Sequence, residues 1–254
     1  MTAYALRSFE YWAYSYRRVW RGSVVTSIVG PVLYLTAMGV GLGKIVNRGP
    51  GLGVPYLQFV APGILAATAM QLATFESAYP VMAAIRWTRQ YFAMLATPLR
   101  TRDILLGHQL YVAARLAAVS GIYLIILTAF GALRSPWAIA AWPAAILVGL
   151  AHSAPVSAFS AWLQRDEGMN ALFRFGVVPM FLFGGTFFPV TRLPHVAREL
   201  AYATPLWNGV DLMRHLTLGT ASLWPSLAHV AYLLLWLAGG LVLASRMYAR
   251  RLVT

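Results

Sequence analysis

Six long apolar tracts run along the sequence, and clusters of charged residues separate them. A helix of about 20 apolar residues spans the hydrocarbon core of a bilayer, and a charge near its centre is costly. The pattern therefore predicts an all-α polytopic membrane protein with six transmembrane helices. The predicted spans are 24–43, 54–76, 112–133, 137–163, 170–188 and 226–246. The fifth has the shortest uncharged tract, so we expect Arg174 within it to extend toward the cytoplasmic headgroups.

Residues 1–22 precede the first span and have the pattern of an amphipathic helix. At about 100° per residue, the charged and the aromatic side chains fall on opposite sides. The charged side holds Arg7, Glu10, Arg17, Arg18 and Arg21, and the other side holds Phe9, Trp12, Tyr16, Val19 and Trp20. The pattern predicts a helix in the membrane interface, with its aromatic rings at acyl depth. Its arginines would face headgroups or a cytoplasmic partner.

Composition excludes several classes of protein. Of the residues, 59% are hydrophobic and 11% are charged, whereas soluble domains carry roughly 25% charged residues. A soluble globular enzyme is therefore excluded. The sequence contains no cysteine, which excludes disulfides and thiolate metal sites. The net charge of +13 would suit nucleic acid only if the basic residues formed one solvated face.

The distribution of the basic residues instead indicates topology. With the N-terminus inside, 14 of the 20 Lys and Arg residues, Arg115 among them, belong to cytoplasmic segments. Such a bias keeps the richer loops in the cytoplasm. We therefore expect a multi-pass protein of the cytoplasmic membrane with both termini cytoplasmic, which contacts lipid headgroups and not nucleic acid.

A polar loop, residues 81–103, joins the second and third predicted spans. Residues 83–96 have helix-compatible composition and end before Pro98. Ile85 and Phe92 recur near helical spacing, while Arg86 and Arg89 share another side. A helix with one apolar and one basic side suits docking against a soluble partner. An ordinary positively charged cytoplasmic loop would have the same composition.

The glycines of the first span do not form a nucleotide site. Gly39 and Gly43 form a G-x-x-x-G pair, which allows close approach of two helices in lipid. The spacing of a dinucleotide or phosphate-binding loop is absent from the sequence. Nucleotide energy would therefore come from another polypeptide.

Few titratable residues lie within the apolar tracts. Glu76 ends the second span and could gate the cytoplasmic entrance or pair with a loop arginine. His152 could contact substrate or form an interhelical hydrogen bond. Asp211 and Arg214 are three residues apart and predict an ion pair on one helix. His229 lies in the last predicted span, and we expect it to have no carboxylate nearby.

The same residues can be compared with the needs of two other classes of membrane protein, an ion-coupled transporter and a lipid or sugar transferase. An ion-coupled secondary transporter usually buries an ionisable relay, and no predicted span has a carboxylate at its centre. A membrane-embedded lipid or sugar transferase needs convergent acids, bases or metal ligands. The only adjacent acids are Asp166 and Glu167, and no cluster has the spacing of metal ligands. The sequence therefore lacks the buried relay of a secondary transporter and the convergent side chains of a transferase.

Four runs of sequence resemble the ABC-2 type exporter permeases. They are Phe75-Glu76-Ser77, ATPLRTRDILLG from Ala96, FLFGGTFFPVTRLP from Phe181, and PLWNGVDLMRHLTLG from Pro205. Within that family the chain is most similar to the branch of nodulation-factor (lipooligosaccharide) and daunorubicin-type drug export permeases. The resemblance covers nearly the whole chain, so residues 1–254 are interpreted as one transmembrane domain.

The resemblance implies a permease subunit of an ATP-binding cassette exporter that moves an amphipathic drug, lipid or glycolipid outward. Such permeases pair as homodimers or heterodimers and bind two copies of a separate ATPase, which holds the ATP and Mg. The chain itself would have no cofactor, metal site or catalytic residue. The loop after the second span would contact the ATPase, and residues 189–225 would form re-entrant helices on the outer side. The implied contacts are Arg86, Trp87, Arg89, Gln90, Tyr91, Arg100, Arg102 and Asp103.

Overall fold

The fold is taken from a computed structural model that describes residues 3–47 and 53–253. All regular structure in these two ranges is helical, which confirms the all-α prediction. The α-helices are α1 (Ala3–Tyr16), α2 (Trp20–Leu35), α3 (Gly43–Val46), α4 (Tyr56–Ser77), α5 (Tyr79–Arg86), α6 (Gln90–Leu95), α7 (Thr101–Ala129), α8 (Ala141–Trp162), α9 (Glu167–Ala171), α10 (Val178–Phe183), α11 (His195–Tyr202), α12 (Pro205–Leu218) and α13 (Leu223–Leu252). π-Helical turns, Thr36–Leu42 and Leu172–Val177, join α2 to α3 and α9 to α10.

Five helical segments in the described ranges are long and apolar enough to cross a membrane. They are Trp20–Val46, Tyr56–Arg86, Thr101–Ala129, Pro136–Trp162 and Leu223–Leu252. These segments correspond to the first four predicted spans and the sixth. The protein is therefore a multi-pass membrane protein.

The fifth predicted span, 170–188, falls on a shorter helix. This helix consists of α9, a π-helical turn and α10, with 5, 6 and 6 residues. It ends at Gly184, and Gly185 follows with a φ of 81°, a conformation that glycine adopts without steric cost. The two glycines therefore stop the helix before the end of the apolar tract.

The core lies where α4, α7, α8 and α12 meet. Close approach depends on small residues, as is usual between helices in lipid. A Cβ added to Gly149 of α8 would collide with Leu116 of α7, and one on Gly240 of α13 would lie 2.7 Å from the backbone nitrogen of Pro155. Glycine is thus required at these crossings.

The glycines near the end of the first span face α4. A Cβ on Gly39 would collide with the Leu57 side chain, and one on Gly43 would lie 3.9 Å from the Cβ of Tyr56. This contact is within one chain, so the close approach that the G-x-x-x-G spacing allows occurs between the first two spans.

The N-terminal helix α1 packs along α7. The Ser8 hydroxyl donates to the Ile104 carbonyl at 3.3 Å, and a Cβ on Gly107 would lie 2.5 Å from the Ala5 carbonyl oxygen. Trp12 stacks on Tyr111, with the ring centroids 5.7 Å apart. Trp12 on the aromatic side therefore packs against α7, whereas Val19 and Trp20 on the same side stay exposed.

Candidate coupling surface and membrane groove

The segment between the end of α4 at Ser77 and the start of α7 at Thr101 forms a helical hairpin. Helix α5 ends at Arg86, where the amides of Trp87 and Thr88 both donate to the Ala83 carbonyl. Arg89 then adopts a left-handed conformation with a φ of 50° before α6 begins. The continuous helix expected over 83–96 is therefore two short helices, because the turn at 87–89 interrupts it.

The tip of the hairpin is exposed, basic and aromatic. Trp87 is 55% exposed and Phe92 is 40% exposed. Arg86 and Arg89 line a surface groove of about 420 Å³ together with Arg251 from the end of α13. Arg86 also forms an ion pair with Asp166, with 2.8 Å between Nη1 and Oδ1. Such a surface complements an acidic partner with an apolar contact point. We call Arg86, Trp87, Arg89 and Phe92 the coupling surface.

The inner side of the hairpin is anchored to other helices. Tyr91 is fully buried, and its ring lies 6.4 Å from that of Trp12 and 5.7 Å from that of Tyr248. Burial raises the pKa of Tyr91 well above its ordinary value. The Tyr11 hydroxyl donates to Gln90 Oε1 at 2.7 Å. Tyr91 thus ties α6 to α1 and α13 and is not available to a partner on the surface.

The other implied contacts lie where α7 begins. Asp103 is buried, and its carboxylate accepts a hydrogen bond from the Arg100 backbone amide at 3.0 Å. A carboxylate in the first turn stabilises a helix N-terminus. Arg100 and Arg102 are exposed beside it. Asp103 therefore holds the start of α7, and only the two arginines present charge outward.

Glu76 and Arg115 form an ion pair between α4 and α7. Arg115 Nη1 lies 2.6 Å from Glu76 Oε1, and the two side chains are 12% and 18% exposed, with Arg115 the lower. Arg115 also donates to Ser23 Oγ at 2.9 Å, and its guanidinium lies 4.3 Å from the ring centre of Tyr16. Arg115, expected in a cytoplasmic segment, lies midway along α7 and joins that helix to α1, α2 and α4.

Arg115 of this pair also lines a groove of about 480 Å³ between α2, α4, α7 and α10. We call this cavity the membrane groove. Its polar lining is Ser23, Ser27, Tyr34, Thr68, Gln71 and Arg115, and its other lining is Gly30, Pro31, Ile64, Leu72, Phe75, Val119 and Phe181. The cavity is large enough for a small amphipathic molecule.

A match to a family model covers most of the chain. The model described as "ABC-2 type transporter" matches residues 9–218. The chain belongs to the ABC-2 type transporter family.

Three relatives illustrate the range of similarity. "Nodulation protein J" of Rhizobium leguminosarum bv. trifolii is 30% identical over 249 residues, which cover 95% of this chain and 94% of that protein. "Nodulation protein J" of Neorhizobium galegae is 32% identical over 216 residues, covering 84% and 79%. "Inner membrane transport permease YadH" of Escherichia coli (strain K12) is 24% identical over 226 residues, covering 85% and 83%.

The family gives the chain its general role. An ABC-2 protein is the membrane subunit of a transporter whose ATPase is on a separate subunit. Within the described residues, no group of three His, Cys, Asp or Glu side chains could hold a metal ion. The coupling surface and the membrane groove are candidate functional sites of this ABC-2 subunit.

His152 lies away from both sites. It is buried in α8, and its Nδ1 is 2.7 Å from the Val148 carbonyl oxygen of the same helix. It does not line the membrane groove. The hydrogen bond within α8 accounts for one ring nitrogen, so the side chain belongs to helix packing in this conformation.

Sequence reasoning missed a polar network between α12 and α13. Asp211 lies 3.2 Å from His229 Nε2 and 3.5 Å from His215 Nε2. His229 also contacts Asn208 Oδ1 at 2.8 Å. The expectation that His229 has no carboxylate nearby is therefore wrong, because the turn at Gly219 brings the two helices together. Burial raises the pKa of Asp211, but the histidines and Arg214 outweigh it and lower the pKa overall.

The predicted ion pair between Asp211 and Arg214 is not formed. Arg214 donates instead to the carbonyl oxygens of Gly185 at 2.7 Å and Phe59 at 3.2 Å. Its guanidinium lies 3.8 Å from the ring centre of Phe59. Burial lowers the pKa of Arg214 to about 10, so it stays cationic at neutral pH. Arg214 thus joins α12 to α4 and to the end of the fifth apolar tract.

Proposed function

We propose that this chain is the permease subunit of an ATP-driven exporter that moves an amphipathic substrate outward across the cytoplasmic membrane. The observation that carries the proposal is the exposed coupling surface on a hairpin anchored by Tyr91, in a chain of the ABC-2 family. Two copies of a separate ATPase would bind ATP and Mg, and the permease would pair with itself or a similar subunit.

The hairpin would act as a lever. ATP binding can drive a conformational change only if the two states of the permease bind the ATPase differently. Movement of the ATPase against Arg86, Trp87 and Arg89 would be transmitted to α1 and α13, because both helices pack on the Tyr91 ring. Arg100 and Arg102 would add charge contacts at the base of the hairpin.

The proposed topology places the coupling surface in the cytoplasm. Both termini would be cytoplasmic, and the short helix from α9 to α10 would complete six spans. Helices α11 and α12 would form the re-entrant segment, 189–225, on the outer side. The pair Glu76 and Arg115 would then lie at the cytoplasmic end of the membrane groove, where it could act as a gate.

Reconstitution of the purified chain into proteoliposomes, with and without its co-encoded ATPase, tests this function. Movement of a fluorescent amphiphile is expected only when the ATPase and hydrolysable ATP are both present. Vesicles holding the chain alone, with a proton or sodium gradient, are the control. Transport driven by that gradient without ATPase would contradict the proposal and favour an ion-coupled transporter.

A further inference from the structure

Three arginines lie where α1 meets α2. Helix α1 ends at Tyr16 and α2 begins at Trp20, so Arg17 and Arg18 lie in the turn and Arg21 lies at the start of α2. All three are exposed, and we call Arg17, Arg18 and Arg21 the arginine turn. None of them forms an ion pair with a carboxylate in residues 3–47 or 53–253.

The acids that could balance this charge are already paired. Residues 1–77 contain only two acids, Glu10 and Glu76. Arg7 Nη1 lies 3.1 Å from Glu10 Oε2, and Arg115 Nη1 lies 2.6 Å from Glu76 Oε1. A counter-charge for the arginine turn is therefore expected from outside the chain.

The backbone of the arginine turn is held on both sides by α7. Arg115 of α7 donates to Ser23 Oγ at 2.9 Å, and its guanidinium lies 4.3 Å from the ring centre of Tyr16. Tyr16 precedes the turn and Ser23 follows it, so one side chain fixes both ends. A site whose backbone is already fixed loses less conformational entropy when it binds a ligand.

Aromatic rings beside the arginines indicate the level of the membrane surface. The Arg18 guanidinium lies 5.7 Å from the ring centre of Tyr14, and that of Arg21 lies 5.8 Å from the ring centre of Trp20. Both rings are exposed. Exposed Tyr and Trp side chains concentrate at the depth of the lipid headgroups. The arginine turn is therefore expected at the depth of the lipid phosphates.

An exposed apolar face begins directly after the turn. On α2 it consists of Val25, Ile28, Val29 and Leu33, each 41–64% exposed. In a membrane span such a face suits contact with acyl chains, which are as apolar as leucine. A soluble anion would use only the arginines, whereas a lipid would also use this face. The two surfaces together favour a lipid ligand.

We propose that the arginine turn binds an anionic phospholipid, with the phosphate on its guanidinium groups and an acyl chain along the exposed face of α2. Guanidinium groups bind phosphate oxygens through paired, charge-assisted hydrogen bonds. A zwitterionic lipid has a cation that balances its own phosphate, so the unpaired arginines favour a lipid with net negative charge. This inference goes beyond the proposed function, because lipid binding requires neither an ATPase nor a transported substrate.

Photolabelling of the full chain in phosphatidylcholine nanodiscs tests the site. The probe is a trace of phosphatidylglycerol with a photoactivatable group in its acyl chain, and mass spectrometry locates the labelled positions. We expect labels on α2 beside the turn, reduced by added phosphatidylglycerol but not by the same amount of phosphatidylethanolamine. Equal competition by the two lipids would overturn the proposal, because it would show that the site does not recognise charge.

Removing the three charges should abolish most of the labelling. Each arginine near an anionic lipid surface is worth about fivefold in affinity. Arg17→Gln/Arg18→Gln/Arg21→Gln should therefore lower labelling by on the order of 100-fold. The matched control is Lys44→Gln/Arg134→Gln/Arg192→Gln, which removes the same net charge at exposed positions elsewhere and should label like the original chain. Unchanged labelling of the first variant, or an equal loss from both, would contradict the proposal.

A charge-conserving variant separates lost binding from damage to the fold. Arg17→Lys/Arg18→Lys/Arg21→Lys keeps all three positive charges and should keep most of the labelling. If it lost as much labelling as the glutamine variant, charge would not be the cause and the proposal would fail.

A soluble anion or the ATPase could occupy the arginine turn instead, and each has its own result. Glycerol phosphate carries a phosphate without acyl chains and should not reduce the labelling, and added ATPase should leave it unchanged. Competition by glycerol phosphate, or loss of labelling when the ATPase binds, would assign the arginines to that occupant and overturn the proposal. The main measurement contains no ATPase, so its result does not depend on whether transport needs ATP.

Discussion

Replacing Glu76 by leucine is expected to destabilise the folded chain by about 3–5 kcal/mol, because it leaves a buried Arg115 without a counter-charge. Both side chains are less than one-fifth exposed and lie 2.6 Å apart. The loss should appear as a lower midpoint of unfolding in a titration with dodecyl sulfate. Transport should fall with it, since the pair joins α4 to α7.

Two further variants test whether charge is the cause. Replacing both partners, in Glu76→Leu/Arg115→Met, should recover most of the stability, because a buried ion pair can often be exchanged for apolar residues. Glu10→Leu is the control, since the pair of Glu10 and Arg7 is more than half exposed and such pairs contribute little. If the double variant were no more stable than Glu76→Leu, packing rather than charge would explain the loss.

Reversing both charges of the coupling surface, in Arg86→Glu/Arg89→Glu, is expected to lower ATP-driven export by about tenfold or more. A coupling free energy between two sites is typically worth about 5–150-fold, and acidic residues would repel an acidic partner. Arg86→Glu also places a second carboxylate beside that of Asp166, which forms an ion pair with Arg86 in the original chain. ATP hydrolysis should continue without transport.

A charge-matched variant at the other end of the molecule is the control. Arg134→Glu/Arg192→Glu makes the same change in net charge at two exposed positions. Both variants should insert in the membrane in equal amounts. Export by Arg86→Glu/Arg89→Glu at the original rate would show that the hairpin does not dock the ATPase.

The spans were predictable because crossing a bilayer requires a long uncharged helix, which a sequence displays directly. The same rule fails for the fifth tract. Gly184 and Gly185 end its helix early, so the apolar tract and the helix have different lengths. Periodicity also indicated the two sides of α1, but not that Trp12 on the aromatic side would pack against α7. Gly107 of α7 allows that contact, but a glycine in a sequence does not indicate which helix packs against it.

The sites depend on contacts that sequence distance hides. Arg115 and Glu76 are 39 residues apart, so the pair was anticipated only as one between Glu76 and some loop arginine. Tyr91 lies next to the exposed residues in sequence, yet it is fully buried, because α6 begins in a new direction after the left-handed turn at Arg89. The membrane groove was not anticipated at all, since its lining comes from four helices.

The hairpin formed by α5 and α6 is expected to dock the ATPase directly, and cross-linking can detect this contact. Because the chain has no cysteine, Arg89→Cys provides a single thiol on the coupling surface. A bifunctional maleimide should link it to the co-expressed ATPase in membranes, more in one nucleotide state than in the other, while Arg134→Cys should give no adduct. Equal linkage from both positions, or an adduct from Arg134→Cys alone, would contradict the account.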